Sequence, residues 1–136
     1  MAVVEELIRE EAQGIISFGN HKLDAKAKVE DFEHGGDLLK VKTYKSMTKL
    51  EKNGMFAYES VPGTSVNNFK ESETGVTFVV EGDEDAQITV GLEDDTEYNV
   101  FVNDENIGRM KTNLGGKLNI SIELAGAGEV SVRIEK

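Results

Sequence analysis

Apolar and polar residues alternate along most of this chain, most regularly in its last third. Leu118, Ile120, Ile122 and Leu124 are separated by Asn119, Ser121 and Glu123. Val130, Val132 and Ile134 repeat the pattern against Ser131, Arg133 and Glu135. A period of two sends alternate side chains to opposite faces of a β-strand. One face is then buried and the other wet, as in an antiparallel sandwich or barrel. Similar runs predict strands at Ile15–Phe18, Ala25–Phe32, Leu38–Tyr44, Met47–Lys52 and Met55–Glu59. Seven more follow, at Val66–Phe69, Val76–Glu81, Gln87–Leu92, Tyr98–Asn103, Ile107–Thr112, Lys117–Leu124 and Glu129–Glu135. Short strands with turn signals every 8–12 residues or so are the pattern of a β-sandwich.

The punctuation agrees. Asn53-Gly54 lies between two β-prone runs, and a type I′ hairpin turn needs positive φ at both central residues. The chain's one proline, Pro62, breaks the sheet pattern. The predicted organisation is an N-terminal segment, 1–60, of helix plus β-meander and a C-terminal β-sandwich, 61–136, with separate cores or one shared core. Val3, Val4, Leu7 and Ile8 recur at helical spacing before Gly14, so a short amphipathic helix is expected from about Val3 to Gln13. The expected fold class is all-β: an antiparallel sandwich, Greek-key or meander, with that helix plugging one end or docking on a neighbour.

Composition narrows the partners. The 136 residues include 26 acidic and 15 basic side chains, a formal net charge of −11. Such a field repels nucleic acid and anionic membrane surfaces, so neither is an expected partner. Without cysteine there is neither a disulfide framework nor a thiolate metal site. Met1 to Glu11 is short and acidic, unlike an export signal. It places the chain in the cytoplasm as written, or outside the cell if a signal was removed.

The acids gather in predicted turns: Glu81 to Asp85, Glu93 to Glu97, and Asp104 with Glu105. A glycan-cleaving enzyme would need two of them about 5–9.5 Å apart across a cleft, and solvated turns argue against it, so no catalytic residue is assigned. Calcium takes about six to eight hard oxygens from flexible loops. In an up-and-down arrangement the first and third turns share one end, which makes Asp83, Asp85, Asp104 and Glu105 the candidate calcium ligands; no other cofactor is expected. His21 and His34 fall in separate turns, too far apart in sequence to read as a zinc site. Tyr44, sharing a strand face with Lys40 and Lys42, and Phe101, sharing one with Asn99 and Asn103, are the candidate surface rings. They would form a carbohydrate-binding face of Tyr44, Phe101, Asn99 and Asn103, or cover a second layer.

One stretch has a familiar look. Thr96-Glu97-Tyr98-Asn99-Val100-Phe101-Val102-Asn103, Ile107-Gly108, Lys111-Thr112-Asn113 and Gly116-Lys117-Leu118-Asn119-Ile120-Ser121-Ile122 together resemble fibronectin-III-like and related bacterial β-sandwich modules. The likeness extends over about Gln87 to Ile134 and consists of turn and strand chemistry. It implies a non-catalytic accessory or linking module, of the kind attached to surface, phage-fibre or glycan-active proteins. It carries over no binding residue. The expected function is therefore assembly, through Val3, Val4, Leu7, Ile8, Lys40 and Lys42, with another protein or a second copy. A row of lysines, Lys40, Lys42 and Lys45, would guard a strand edge or meet acidic turns of another copy. Carbohydrate binding is the alternative, and glycan cleavage by turn carboxylates the second.

Overall fold

The computed structural model describes residues 3–136. Strands β1 (Ile8–Ala12), β2 (Ile15–Phe18), β3 (Ala27–His34), β4 (Asp37–Tyr44), β5 (Met47–Lys52) and β6 (Met55–Val61) precede the Pro62 turn. After it come β7 (Ser65–Ser72), β8 (Gly75–Glu81), β9 (Ala86–Gly91), β10 (Glu97–Val102), β11 (Glu105–Lys111), β12 (Lys117–Ile122) and β13 (Val130–Glu135). They form two antiparallel sheets. One has seven strands in the order β1-β2-β7-β8-β13-β10-β11, the other six in the order β12-β9-β6-β5-β4-β3. The described chain is all-β, as the alternation predicts, and consistent with a sandwich.

The core follows from the pleat. Leu118, Ile120 and Ile122 of β12 and Val130, Val132 and Ile134 of β13 are all buried, while Asn119, Ser121 and Ser131 face water. Buried apolar residues from both sheets, and from both sides of Pro62, make one cluster. Its aromatic centre is Tyr58 of β6, whose ring meets Phe18, Phe69 and Phe78 of the facing sheet edge-on at 5.3, 6.3 and 5.7 Å between centroids. Edge-to-face rings at this separation add about 0.5–1.5 kcal/mol per pair to the burial itself.

The expected N-terminal helix does not form. Leu7 N–H bonds the Val4 carbonyl at 2.9 Å in a single turn, Leu7 takes a φ of 74°, and Ile8 then opens β1. Val4 and Ile8 are buried at the spacing a helix would also give. Gln13-Gly14 closes a hairpin in which Ile8 lies opposite Phe18, so the backbone bonds of this segment go to β2. An isolated amphipathic helix this short is marginal in water, and a ready strand partner outcompetes it.

Elsewhere the turn chemistry holds. Asn53 and Gly54 have φ of 53° and 78°, as a type I′ turn requires. Asn103 and Asp104, at 51° and 66°, make a second such turn between β10 and β11, which lacks the usual glycine.

Candidate functional site

The two ends of the sandwich are built differently. At one end the segment after Gly19, the Pro62–Ser65 turn and the turn after β8 fold inward over a chain of hydroxyls. Tyr58 OH and Ser60 Oγ each lie 2.7 Å from Thr64 Oγ1. Thr48 Oγ1 donates to the Thr64 carbonyl at 2.7 Å and pairs with Thr43 Oγ1 at 2.8 Å, and Thr43 Oγ1 accepts the Asn20 N–H. Burial pushes the Tyr58 hydroxyl well above its ordinary pKa and keeps it protonated.

His21 belongs to the same end. It is buried, with Nδ1 2.7 Å from Ser65 Oγ and Nε2 3.6 Å from Asp83 Oδ1. Desolvation lowers its pKa, so the ring is held neutral, partly offset by Asp83. These three residue types also make hydrolase triads, but the arrangement is inverted. Ser65 is buried without access and Asp83 is the exposed member, so the group joins three loops rather than presenting a nucleophile.

The other end is open. A groove between the sheets runs past Ile16, Leu39, Leu50 and Phe69, spanned by Lys52 of β5 and Glu71 of β7 at 2.9 Å. That hydrogen bond raises the Lys52 pKa. The groove continues past Phe56 and Leu92. Beside it stand Met55 and Leu114, 72% and 83% exposed, with Leu38, 47% exposed, at the neighbouring turn.

The candidate calcium ligands share the closed end as the topology requires, since β8 and β10 both point there with β13 between them. Their oxygens are turned to separate tasks. Lys22 Nζ bonds Asp83 Oδ1 at 2.6 Å, which lowers the Asp83 pKa. Asp85 Oδ1 accepts the Leu124 and Ala125 amides at 3.0 and 3.1 Å. Asp104 lies 3.6 Å from Arg133 Nη1, and Glu105 opens β11. Among the described residues no cluster of three or more His, Asp or Glu side chains is placed to hold a metal ion.

Tyr44 and Phe101 do not form one platform. Tyr44 lies on the outer face of the six-stranded sheet, with Lys26 Nζ 5.9 Å from its ring. Phe101 lies on the outer face of the seven-stranded sheet, half-covered by the Arg133 guanidinium 4.1 Å from its centroid. A bulge in β7 at Asn68 hollows that face into a depression of about 260 Å³ shared by Thr77, Phe101, Asp104, Ser131 and Arg133. Asn99 sits between Arg109 and Glu135 on the same strand as Phe101. Asn103 is in the turn, where its Oδ1 accepts the Ser131 N–H.

Of the residues expected at an interface, Val4 and Ile8 are in the core and Val3 and Leu7 half-buried. Lys40 and Lys42 do face solvent, but on β4, which is inside the sheet; β3 is the edge. Lys42 stands opposite Lys28 on one side and Lys49 on the other.

The sheet edges differ in a way the pattern of alternation does not reveal. Three edge strands carry an extra residue that breaks their ladder. In β1 it is Glu11, in β11 Ile107, and in β3 it lies between Val29 and Phe32. β1 and β3 also lie against each other, joined by the hydrogen bond of His34 Nδ1 with Glu10 Oε2. β12 alone among the four is regular: Lys117 to Ile122 pair with Gly91 to Ala86 without a shift, and the strand contains neither proline nor glycine.

No family model, no curated protein and no solved structure matches this chain.

Proposed function

We propose that this chain is a non-catalytic β-sandwich module that acts by protein–protein assembly, with the free edge of β12 as the pairing surface. The observation that carries it is the contrast among the four edges. An unpaired edge is a template for another strand, and sheets are ordinarily protected by bulges, charges or coverage. β1, β3 and β11 are protected in this way, whereas β12 is capped only at its start, where Asn113 bonds both the N–H and the C=O of Lys117, and its ladder is unbroken from there to Ile122. Its outward side chains are the small polar Asn119 and Ser121, with one charge at its start, Lys117. The resemblance of Thr96–Ile122 to fibronectin-III-like modules supports the same accessory role. Light scattering over a range of concentrations, with amide exchange on the same samples, tests the reading. It expects a defined multimer in which protection of the outward amides of Asn119 and Ser121 rises with concentration. A monomer at millimolar concentration with constant exchange in β12 overturns it.

A second reading is favoured by the depression at Phe101. An aromatic ring beside Asn68, Thr77, Ser131, Asp104 and Arg133 offers an apolar surface ringed by hydrogen-bonding groups, the makings of a shallow sugar site. Arg133 would have to swing off the ring to admit a pyranose. A glycan array with hits lost in Phe101→Ala would support it, and an array empty for the wild type would end it.

A further inference from the structure

We infer that the groove at the open end receives an extended segment of another protein in which apolar and basic side chains alternate. This is a second surface, separate from the β12 edge, and either can fail without the other.

The groove has two unlike walls. It consists of hollows that run together: the first and second share Lys52 and Glu71, the second and third share Glu71 and Leu92. One wall, from the six-stranded sheet and the turns that end it, is apolar, with Leu39, Leu50, Phe56 and Leu92. Leu38, Met55 and Leu114 carry that wall out into water. Of five large apolar side chains exposed among the described residues, these three stand at this one end.

The opposite wall is acidic. Glu71 lies in β7, Glu73 in the turn after it, and Glu93 in the link from β9 to β10. Lys52 holds Glu71 at 2.9 Å and Lys136 holds Glu93 at 2.6 Å. Glu73 forms no ion pair among the described residues, although Lys136 lies in its field. At the far end of the first hollow Asp37 is bonded to the Asn53 amide rather than to a cation.

Exposed apolar groups rimmed by charge mark places where another molecule docks. The charge selects which. A segment carrying Lys or Arg meets Glu73 and Asp37 without displacing a cation from either. A second copy brings its own acidic wall, and the net charge of −11 opposes it.

The shape selects the conformation. Facing sheets lie about 10 Å apart. A helix with its side chains is about 10–12 Å across and does not enter, whereas a single extended chain does. Its alternate side chains point to opposite sides, apolar ones toward Met55, Leu92 and Leu114, basic ones toward Glu71, Glu73 and Glu93. From β4 to β12 the rim crosses four inter-strand gaps, or about 19 Å, the reach of about six extended residues. The Lys52–Glu71 pair crosses the groove part-way. It is half-exposed, so water and the incoming cation compensate for parting it.

The test is a titration of the full chain with a labelled heptapeptide alternating lysine and leucine, read by fluorescence anisotropy. Saturable one-to-one binding that weakens with salt is expected. Met55→Ser and Leu114→Ser should each weaken it about tenfold. Glu73→Lys should weaken it and flatten its salt dependence. Val61→Ser, exposed at the closed end, should leave it unchanged. All four side chains are in water, and the melting temperature of each variant checks that folding is unchanged. Heptapeptides alternating glutamate with leucine, or lysine with serine, should not bind. No saturable binding, equal binding of the lysine–serine peptide, or indifference to Met55→Ser and Leu114→Ser overturns the inference. A peptide that instead protects the Asn119 and Ser121 amides has added to β12, which overturns the groove and favours the edge. A wild-type dimer that Met55→Ser dissociates in sedimentation makes the occupant a second copy and overturns the basic partner.

Discussion

The closed and open ends of the sandwich use the same kinds of residue for opposite purposes. Seven of the buried polar residues, Asn20, His21, Thr43, Thr48, Ser60, Thr64 and Ser65, lie at the closed end; Ser17 and Thr112 are the only others among the described residues. There the chain folds inward, and each hydroxyl exists to satisfy backbone or side-chain groups that the infolding takes out of water. At the open end the hairpins turn over in solvent and leave a groove. The glycines make the same point. Gly54 serves a positive φ and has nothing near the place of a Cβ, whereas a Cβ on Gly63 would run into the Tyr44 carbonyl. Stability should therefore be concentrated at one end, and sequence tolerance at the other.

The largest effect should come from the residue that joins the aromatic core to the hydroxyl chain. Tyr58→Ala removes three edge-on ring contacts and leaves a cavity, a loss of about 3–5 kcal/mol in denaturant unfolding. A loss below about 1 kcal/mol would mean that the two halves of the molecule are not coupled there.

Next comes Thr64→Val, which keeps shape and deprives both Tyr58 and Ser60 of their partner. Unsatisfied buried groups cost about 1–3 kcal/mol. An unchanged unfolding midpoint would show that the network is dispensable.

The third test is pH. Unfolded, His21 takes up a proton near its ordinary value of 6.5; folded, burial holds the value lower, with Asp83 and Glu81 opposing and Lys22 reinforcing. Below pH 6.5 the unfolded chain therefore binds more protons, and stability falls as pH falls toward the folded value. The carboxyls of Asp83 and Glu11, whose values are lowered by Lys22 and by Ser17 with Arg9, stay ionised through this window. The urea midpoint should be lower at pH 5.5 than at pH 7.5, and His21→Asn should flatten the difference. An equal slope in both proteins would place the pH response elsewhere.

The smallest effect belongs to the open end. Met55→Asp or Leu114→Asp should change stability by less than about 0.5 kcal/mol, because both side chains are already in water. A larger loss in thermal unfolding would mean that the groove is better packed than its exposure indicates.

Much of this scaffold was legible residue by residue. The alternation in β12 and β13 and the turn at Asn53-Gly54 are local facts, and local physics decides them. The spacing of Val3 to Gln13 fits either a helical turn or a short turn entering a strand, and only β2 distinguishes the two. His21 lies in a turn, as its sequence neighbourhood suggests, but its burial is not legible there because its partners, Ser65 and Asp83, are far along the chain. Tyr44 and Phe101 could each be placed on a solvent face of a strand, but not on opposite sheets. The candidate edge had a visible signature, six residues without glycine or proline, yet nothing local says which strand lies outermost.

Local alternation alone sets the all-β class, the positions of most strands and the side of each that is apolar, because the pleat converts a period of two directly into faces. Strand order, the burial of His21, the separate duties of the acidic turns and the exposure of the β12 edge arise from long-range packing. Each depends on which distant segments come to lie side by side, and no local period encodes a neighbour.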